Sequence, residues 1–313
     1  MPTQDPRLAI DFAGLKLASP LILAAGTAGY ADELADALDL SILGAVTTKS
    51  ITKEPRDGNP TWRIVPSKAG MLNAIGLANP GIDRFADDIV PRLGNVPTTV
   101  IGSVAGNAIE DYAAVCARMD PIAALPAVEL NVSCPNVHGG TEFGIDPQAL
   151  SDLVRACRAE LASTKLIVKL SPIAVGRPGI VDVATAAVEA GADALTVANT
   201  VPAMGIDVHT GEPVLSNTTG GLSGPAVHPI AVKLVHDVHR ALPDTPVIGL
   251  GGVMDWDDAA EFVLAGATAV GIGTALFADP RRPKRLLRKL SRWLDAHSAD
   301  TIEALRGTVR LPS

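Results

Sequence analysis

Eight short runs rich in apolar and β-branched residues punctuate this chain, and amphipathic stretches separate most of them. The runs cover residues 21–24, 45–49, 98–102, 128–131, 166–170, 194–198, 247–250 and 269–272. A run without polar alternation is covered on both faces, as a parallel strand between helices is. Helical patterns are clearest at 147–161, 180–190, 225–241 and 256–265. Two of them end in Ala190-Gly191-Ala192 and Ala265-Gly266-Ala267, where glycine supplies the left-handed residue that a β-carbon resists. Eight strands alternating with helices predict the α/β class and a closed (β/α)8 TIM barrel, one domain spanning residues 1–313. An open doubly wound sheet is the competing architecture. Residues 9–12 and 16–18 flank Gly14 and predict an N-terminal hairpin across the barrel floor. The loops after strands 2 and 6, residues 50–97 and 200–224, are too long for plain turns and read as functional covers.

Composition narrows the function. Apolar residues make up 47% of the 313, enough for a large core, and aromatics only 3%. The net charge of −8 argues against a nucleic-acid partner, which needs a basic face. The basic stretch 281–289 reads as the solvated side of a last helix, with a docking face for an acidic partner as the alternative. Cys116, Cys134 and Cys157 are too scattered for a disulfide frame or a cluster, and no metal site is expected. Cys116 and Cys157 sit in helical patterns as small core residues. No run approaches the roughly 18 apolar residues of a membrane span, so a soluble, cytoplasmic protein is expected.

In a barrel the active site lies at the C-terminal ends of the strands. Those ends carry Ala25-Gly26, Lys49-Ser50, Ser103, Asn131, Lys169, Asn199-Thr200, Gly251-Gly252 and Gly273-Thr274. Lysines at two such ends are costly unless a polar or anionic ligand faces them. Glycine loops after the last two strands suit a phosphate, because backbone N–H groups can approach it closely. Gly220-Gly221-Leu222-Ser223-Gly224-Pro225 offers a third backbone-rich approach. Together these loops favour a nucleotide-like cofactor, and Lys169 suits the pyrimidine edge of a flavin. The most chemical segment is Asn131-Val132-Ser133-Cys134-Pro135-Asn136: a thiol able to take a proton, flanked by amides able to fix a polar ring.

These residues resemble the catalytic subunit of class 1 dihydroorotate dehydrogenases. The resemblance runs from about Leu17 to Phe277. It rests on residues 54–60 (EPRDGNP), 70–77 (GMLNAIGL), 131–136 (NVSCPN), 169–172 (KLSP), 199–200 (NT) and 219–225 (TGGLSGP). Val137-His138-Gly139-Gly140 followed by Phe143-Gly144 is similar to the NAD-linked type 1B branch. The resemblance implies an FMN enzyme of pyrimidine biosynthesis that oxidises dihydroorotate to orotate, with Cys134 as the catalytic base. It implies FMN contacts from Ala25, Gly26, Lys49, Ser50, Ser103, Asn131, Lys169, Ala198, Gly224, Gly251, Gly252, Gly273 and Thr274. Substrate contacts would come from Lys49, Asn73, Ala74, Ile75, Gly76, Leu77, Asn131, Asn199 and Thr200. It further implies a homodimer core and a second subunit carrying FAD and a [2Fe–2S] cluster that passes electrons to NAD+. The chain departs from the family's common pattern at Ser103 and Ile173, where asparagine is frequent, and at Gly205, where arginine is.

Two other readings stay open at this stage. One is a different flavin barrel acting on a dihydropyrimidine or a tRNA base. The other is a flavin-binding barrel whose cysteine is structural.

Overall fold

The computed structural model describes residues 4–30, 32–133 and 143–312. Its strands are β1 Ile10–Phe12, β2 Leu15–Leu17, β3 Leu21–Leu23, β4 Ala45–Thr47, β5 Ile64–Ser67, β6 Gly70–Asn73 and β7 Thr99–Val104. They continue with β8 Ala127–Asn131, β9 Lys165–Lys169, β10 Ala194–Val197, β11 Val201–Ala203, β12 Gly220–Ser223, β13 Val247–Leu250 and β14 Ala269–Ile272. Eight of them close a barrel in the order β3-β4-β7-β8-β9-β10-β13-β14, with β14 pairing back onto β3. Every barrel pairing is parallel. The eight apolar runs are these eight strands, and the open-sheet alternative is excluded.

Helices Pro147–Ala159, Ile180–Glu189, His228–Ala241 and Trp256–Ala265 pack outside, as their periodicity predicts. Gly266 ends the last of these at φ 118°, the left-handed cap anticipated for Ala-Gly-Ala. Strict alternation fails once. Between β3 and β4 the helical turn among described residues is the short Leu40–Ile42, and buried Leu38, Leu40 and Leu43 anchor that segment in place of a helix.

The floor is closed by the N-terminal hairpin, β1 pairing antiparallel with β2. Ala13 and Gly14 turn it with positive φ, and Phe12, Leu17 and Leu8 are buried in the main core. The last helix, Arg282–His297, buries Leu286, Leu290 and Leu294. Its basic side is partly paired, Lys289 with Asp255 (2.7 Å) and Arg285 with Asp279 (3.2 Å).

The two long connections are more ordered than loops. They assemble a four-stranded antiparallel sheet, β11-β12-β6-β5, over the opposite end of the barrel. Close approach between its strands requires missing side chains: a β-carbon on Gly70 would lie 1.9 Å from the Ser223 carbonyl oxygen. Gly220 and Gly221 therefore serve the packing of this sheet, one against Asn73 and the other against Thr200. The sequence places them at a phosphate; the structure places them in a strand.

Candidate active site

Beneath that sheet lies a cavity of about 510 Å³ at the C-terminal rim of the barrel. Seven of the eight barrel strands send residues to it from their ends or from the turn just beyond. The lid adds Met71 and Asn73 from β6, Leu222 and Ser223 from β12, and Arg63 and Ile64 from the approach to β5.

The lining is electrically one-sided. Among the described residues it holds three cations, Lys49, Arg63 and Lys169, and no carboxylate, in a protein of net charge −8. Lys169 is only 6% exposed and has no hydrogen bond or ion pair among the described residues. An unpaired buried ammonium is expensive, so this one fits an anionic or electron-rich ligand. Lys49 has its pKa lowered by burial first and by the Arg63 charge second, with Glu33 opposing weakly. Its ammonium sits 5.5 Å from the centre of the Tyr30 ring.

Polar side chains form a continuous chain along the rim. Ser50 and Ser103 share a hydroxyl hydrogen bond of 2.8 Å, and Asn131 Nδ2 donates to Ser50 Oγ at 3.3 Å. Asn199 Nδ2 donates to Asn131 Oδ1 at 3.1 Å, and the Thr200 N–H donates to Asn199 Oδ1 at 2.8 Å. The Tyr112 hydroxyl holds the Asn131 carbonyl from below at 2.8 Å. Each amide is thereby fixed in orientation while keeping an unused donor for a ligand. Across the cavity Thr274 Oγ1 donates to Ser223 Oγ at 2.7 Å, tying the last strand to the lid.

Most of the expected residues that are described line this one cavity. Ala25, Gly26, Lys49, Ser50, Asn131, Lys169, Ala198, Gly224, Gly251, Gly252, Gly273 and Thr274 line the cavity, and so do Asn73, Ile75, Leu77, Asn199 and Thr200. Three described residues stand apart. Ser103 is fully buried behind Ser50 and reaches the cavity through that hydroxyl alone. Ala74 packs in a small apolar cluster with Leu72 and Leu215, and Gly76 faces Asn59. Cys134, Asn136 and residues 137–140 lie outside the described residues. Arg63, Met71 and Ser223 are lining residues that site reasoning from sequence passed over. For Arg63 the signal was a cation three residues past the quoted EPRDGNP string.

Two glycines leave room on the cavity wall. A β-carbon added to Gly26 would meet nothing within 4 Å, and one added to Gly273 nothing closer than 3.7 Å, so both glycines open onto ligand space. Glycine backbone at the ends of β13 and β14 forms one wall of the cavity, the kind of cradle that suits an anionic group.

The sequence profile of the dihydroorotate dehydrogenase family matches residues 7–294. The chain belongs to that family. Among curated dihydroorotate dehydrogenases it is 46% identical, over 98% of its length and all of the relative's, to "Dihydroorotate dehydrogenase B (NAD(+)), catalytic subunit" of Geobacter sp. strain M21. It is 44% identical to the protein of the same name from Listeria monocytogenes, over 96% of this chain and 97% of that one. Family members are flavin-dependent, in keeping with the cradle and the cation-lined cavity described above. Among the described residues no helix is long and apolar enough to cross a membrane.

Proposed function

We propose that this dihydroorotate dehydrogenase is the FMN-dependent catalytic subunit of an NAD-linked enzyme, oxidising dihydroorotate to orotate. The observation that carries the reading is the cavity at the strand ends, which among the described residues has three cations, no carboxylate and a fixed pair of asparagine amides. Orotate and dihydroorotate carry a carboxylate and two ring amide edges, which such a lining complements. The names of the relatives support both the reaction and a companion subunit that hands electrons to NAD+. By the resemblance, that companion carries FAD and a [2Fe–2S] cluster, and the catalytic chains form a homodimer core.

FMN, when bound, supplies the acceptor for the hydrogen leaving C6 of the substrate. The chain's own residues do the rest. The C5 proton is acidified by the neighbouring carbonyl, and the Cys134 thiolate takes it. Lys49 offsets the charge that builds as that proton leaves, and Asn73, Asn131 and Asn199 hold the ring edges and carboxylate. Lys169 would face the cofactor's electron-rich edge, and Gly224, Gly251, Gly252, Gly273 and Thr274 would hold its phosphate. The lid sheet excludes water from the reacting face.

The visible spectrum of the purified protein tests this reading. Flavin bands should be present and should bleach anaerobically on adding dihydroorotate, but not dihydrouracil. Cys134→Ala should keep the bands and lose most of the bleaching rate. A protein that takes up no FMN, or bleaches equally with either compound, would overturn the proposal.

A further inference from the structure

His228 stands directly behind the glycine turn that follows β13, as the first residue of helix His228–Ala241. The ring is buried, 7% exposed, and meets the Phe262 ring edge-on at 5.0 Å. Its Nδ1 lies 2.8 Å from the Gly251 carbonyl oxygen. A carbonyl only accepts, so Nδ1 carries the proton and donates. The other nitrogen, Nε2, is buried without an aligned hydrogen bond; Glu261 Oε2 lies 3.3 Å from it and Asp258 Oδ1 3.7 Å. Asp258 is itself held by the backbone N–H groups of Met254 and Asp255, at 2.7 and 2.8 Å. The ring is thus clasped between the turn and the start of helix Trp256–Ala265.

The Gly251–Gly252 peptide is trans, so its C=O and N–H point in opposite directions. Drawing the Gly251 carbonyl toward His228 turns the Gly252 N–H away from it. Gly252 lines the cavity, and its N–H has no partner among the described residues. Both glycines sit at positive φ, 146° and 70°, and without β-carbons such a peptide plane flips easily. The turn is closely packed: a β-carbon on Gly252 would lie 2.7 Å from His228 Cβ and 2.8 Å from the Gly224 carbonyl oxygen.

We infer that His228 is a positioning residue for the phosphate end of the cofactor. It latches the Gly251–Gly252 peptide so that the Gly252 N–H is presented to a phosphate monoester. The inference rests on the FMN reading of the cavity and adds to it the residue that orients the cradle without touching the ligand.

The test is a fluorescence titration of the apoprotein with FMN and with riboflavin, which lacks the phosphate. His228→Ala should weaken FMN binding about tenfold or more, the usual effect of losing one hydrogen bond of this kind to an anion. Riboflavin affinity should change by less than about twofold, because that ligand never reaches the latch. His228→Asn, whose Nδ2 falls near the place of Nδ1, should restore most of the FMN affinity. If His228→Ala does not fold, His228→Leu fills the space against Phe262 and carries the same expectation. Unchanged FMN affinity, or FMN and riboflavin weakened in equal proportion, would overturn the latch while leaving the FMN reading intact. A wild-type protein with no preference for FMN over riboflavin would overturn the phosphate cradle itself.

Discussion

Strand β9 begins and ends with a lysine, and the two live in opposite environments. Lys165, at the floor, reaches Asp193 at 3.2 Å, and the same carboxylate also holds Arg158 at 3.0 Å and the Leu166 N–H at 2.8 Å. Lys169, at the rim, is more deeply buried yet has no partner among the described residues. The floor satisfies its own charges; at the rim Arg63 donates to the carbonyls of Asp57 and Asn59, while Lys169 is left for a ligand. Arg306 repeats the floor's habit, donating to the carbonyls of Gly266, Pro243 and Thr245. One end of the barrel is thus built for stability and the other for chemistry, as the fold's architecture allows.

Three substitutions or titrations break or sharpen this contrast. Lys169→Met should weaken FMN binding by about 10- to 100-fold, the range for a lost charge-assisted contact. Thermal unfolding of the apoprotein should be unchanged or slightly raised, since an uncompensated buried charge has been removed. A large fall in apoprotein Tm would instead mean that Lys169 is a structural residue like its counterpart at the floor.

Asp193→Ala should do the reverse. It strands two cations and one backbone donor, partly exposed, and is expected to cost about 1–2 kcal/mol in denaturant unfolding. FMN affinity of the folded fraction should stay the same. A loss of FMN affinity there would show that the two rims are coupled.

The smallest effect is on pH. Burial and Arg63 depress the Lys49 pKa below its ordinary 10.5. Because the unfolded chain binds that proton more tightly, the ligand-free protein gains a little stability as pH rises through the window between the depressed value and 10.5. An anionic ligand needs the proton, so orotate affinity should fall across the same window, earlier than for an ordinary lysine. Isothermal titration of orotate against pH measures this, and Lys49→Arg should carry the affinity on to higher pH.

Legibility from sequence followed burial. Residues 247–250 and 269–272 read as strands because both faces are covered and nothing polar interrupts them. The lid did not read that way. Strand β12 is Gly-Gly-Leu-Ser and β5 contains Pro66, residues that local propensity keeps out of strands. Each is held by its neighbour β6, which pairs with both, so the strand exists only in company. The helical run over residues 81–93, which includes Pro91, was hidden inside the same long connection. At the site, lysines and asparagines at strand ends were conspicuous because such positions rarely tolerate them. Ser103 was misleading for the same reason: it ends a strand, but Ser50 stands between it and the cavity.

By itself the chain determined the barrel, its floor hairpin and the rim on which polar residues gather, because strand period and burial are written locally in residue type. Only the tertiary structure decided that two distant connections pair into a lid, that Arg63 joins Lys49 and Lys169 around one cavity, and that His228 grips the glycine turn. Those relations depend on segments as far apart as β6 and β12 meeting at hydrogen-bond distance. No local pattern encodes such a meeting; it follows from closing the barrel.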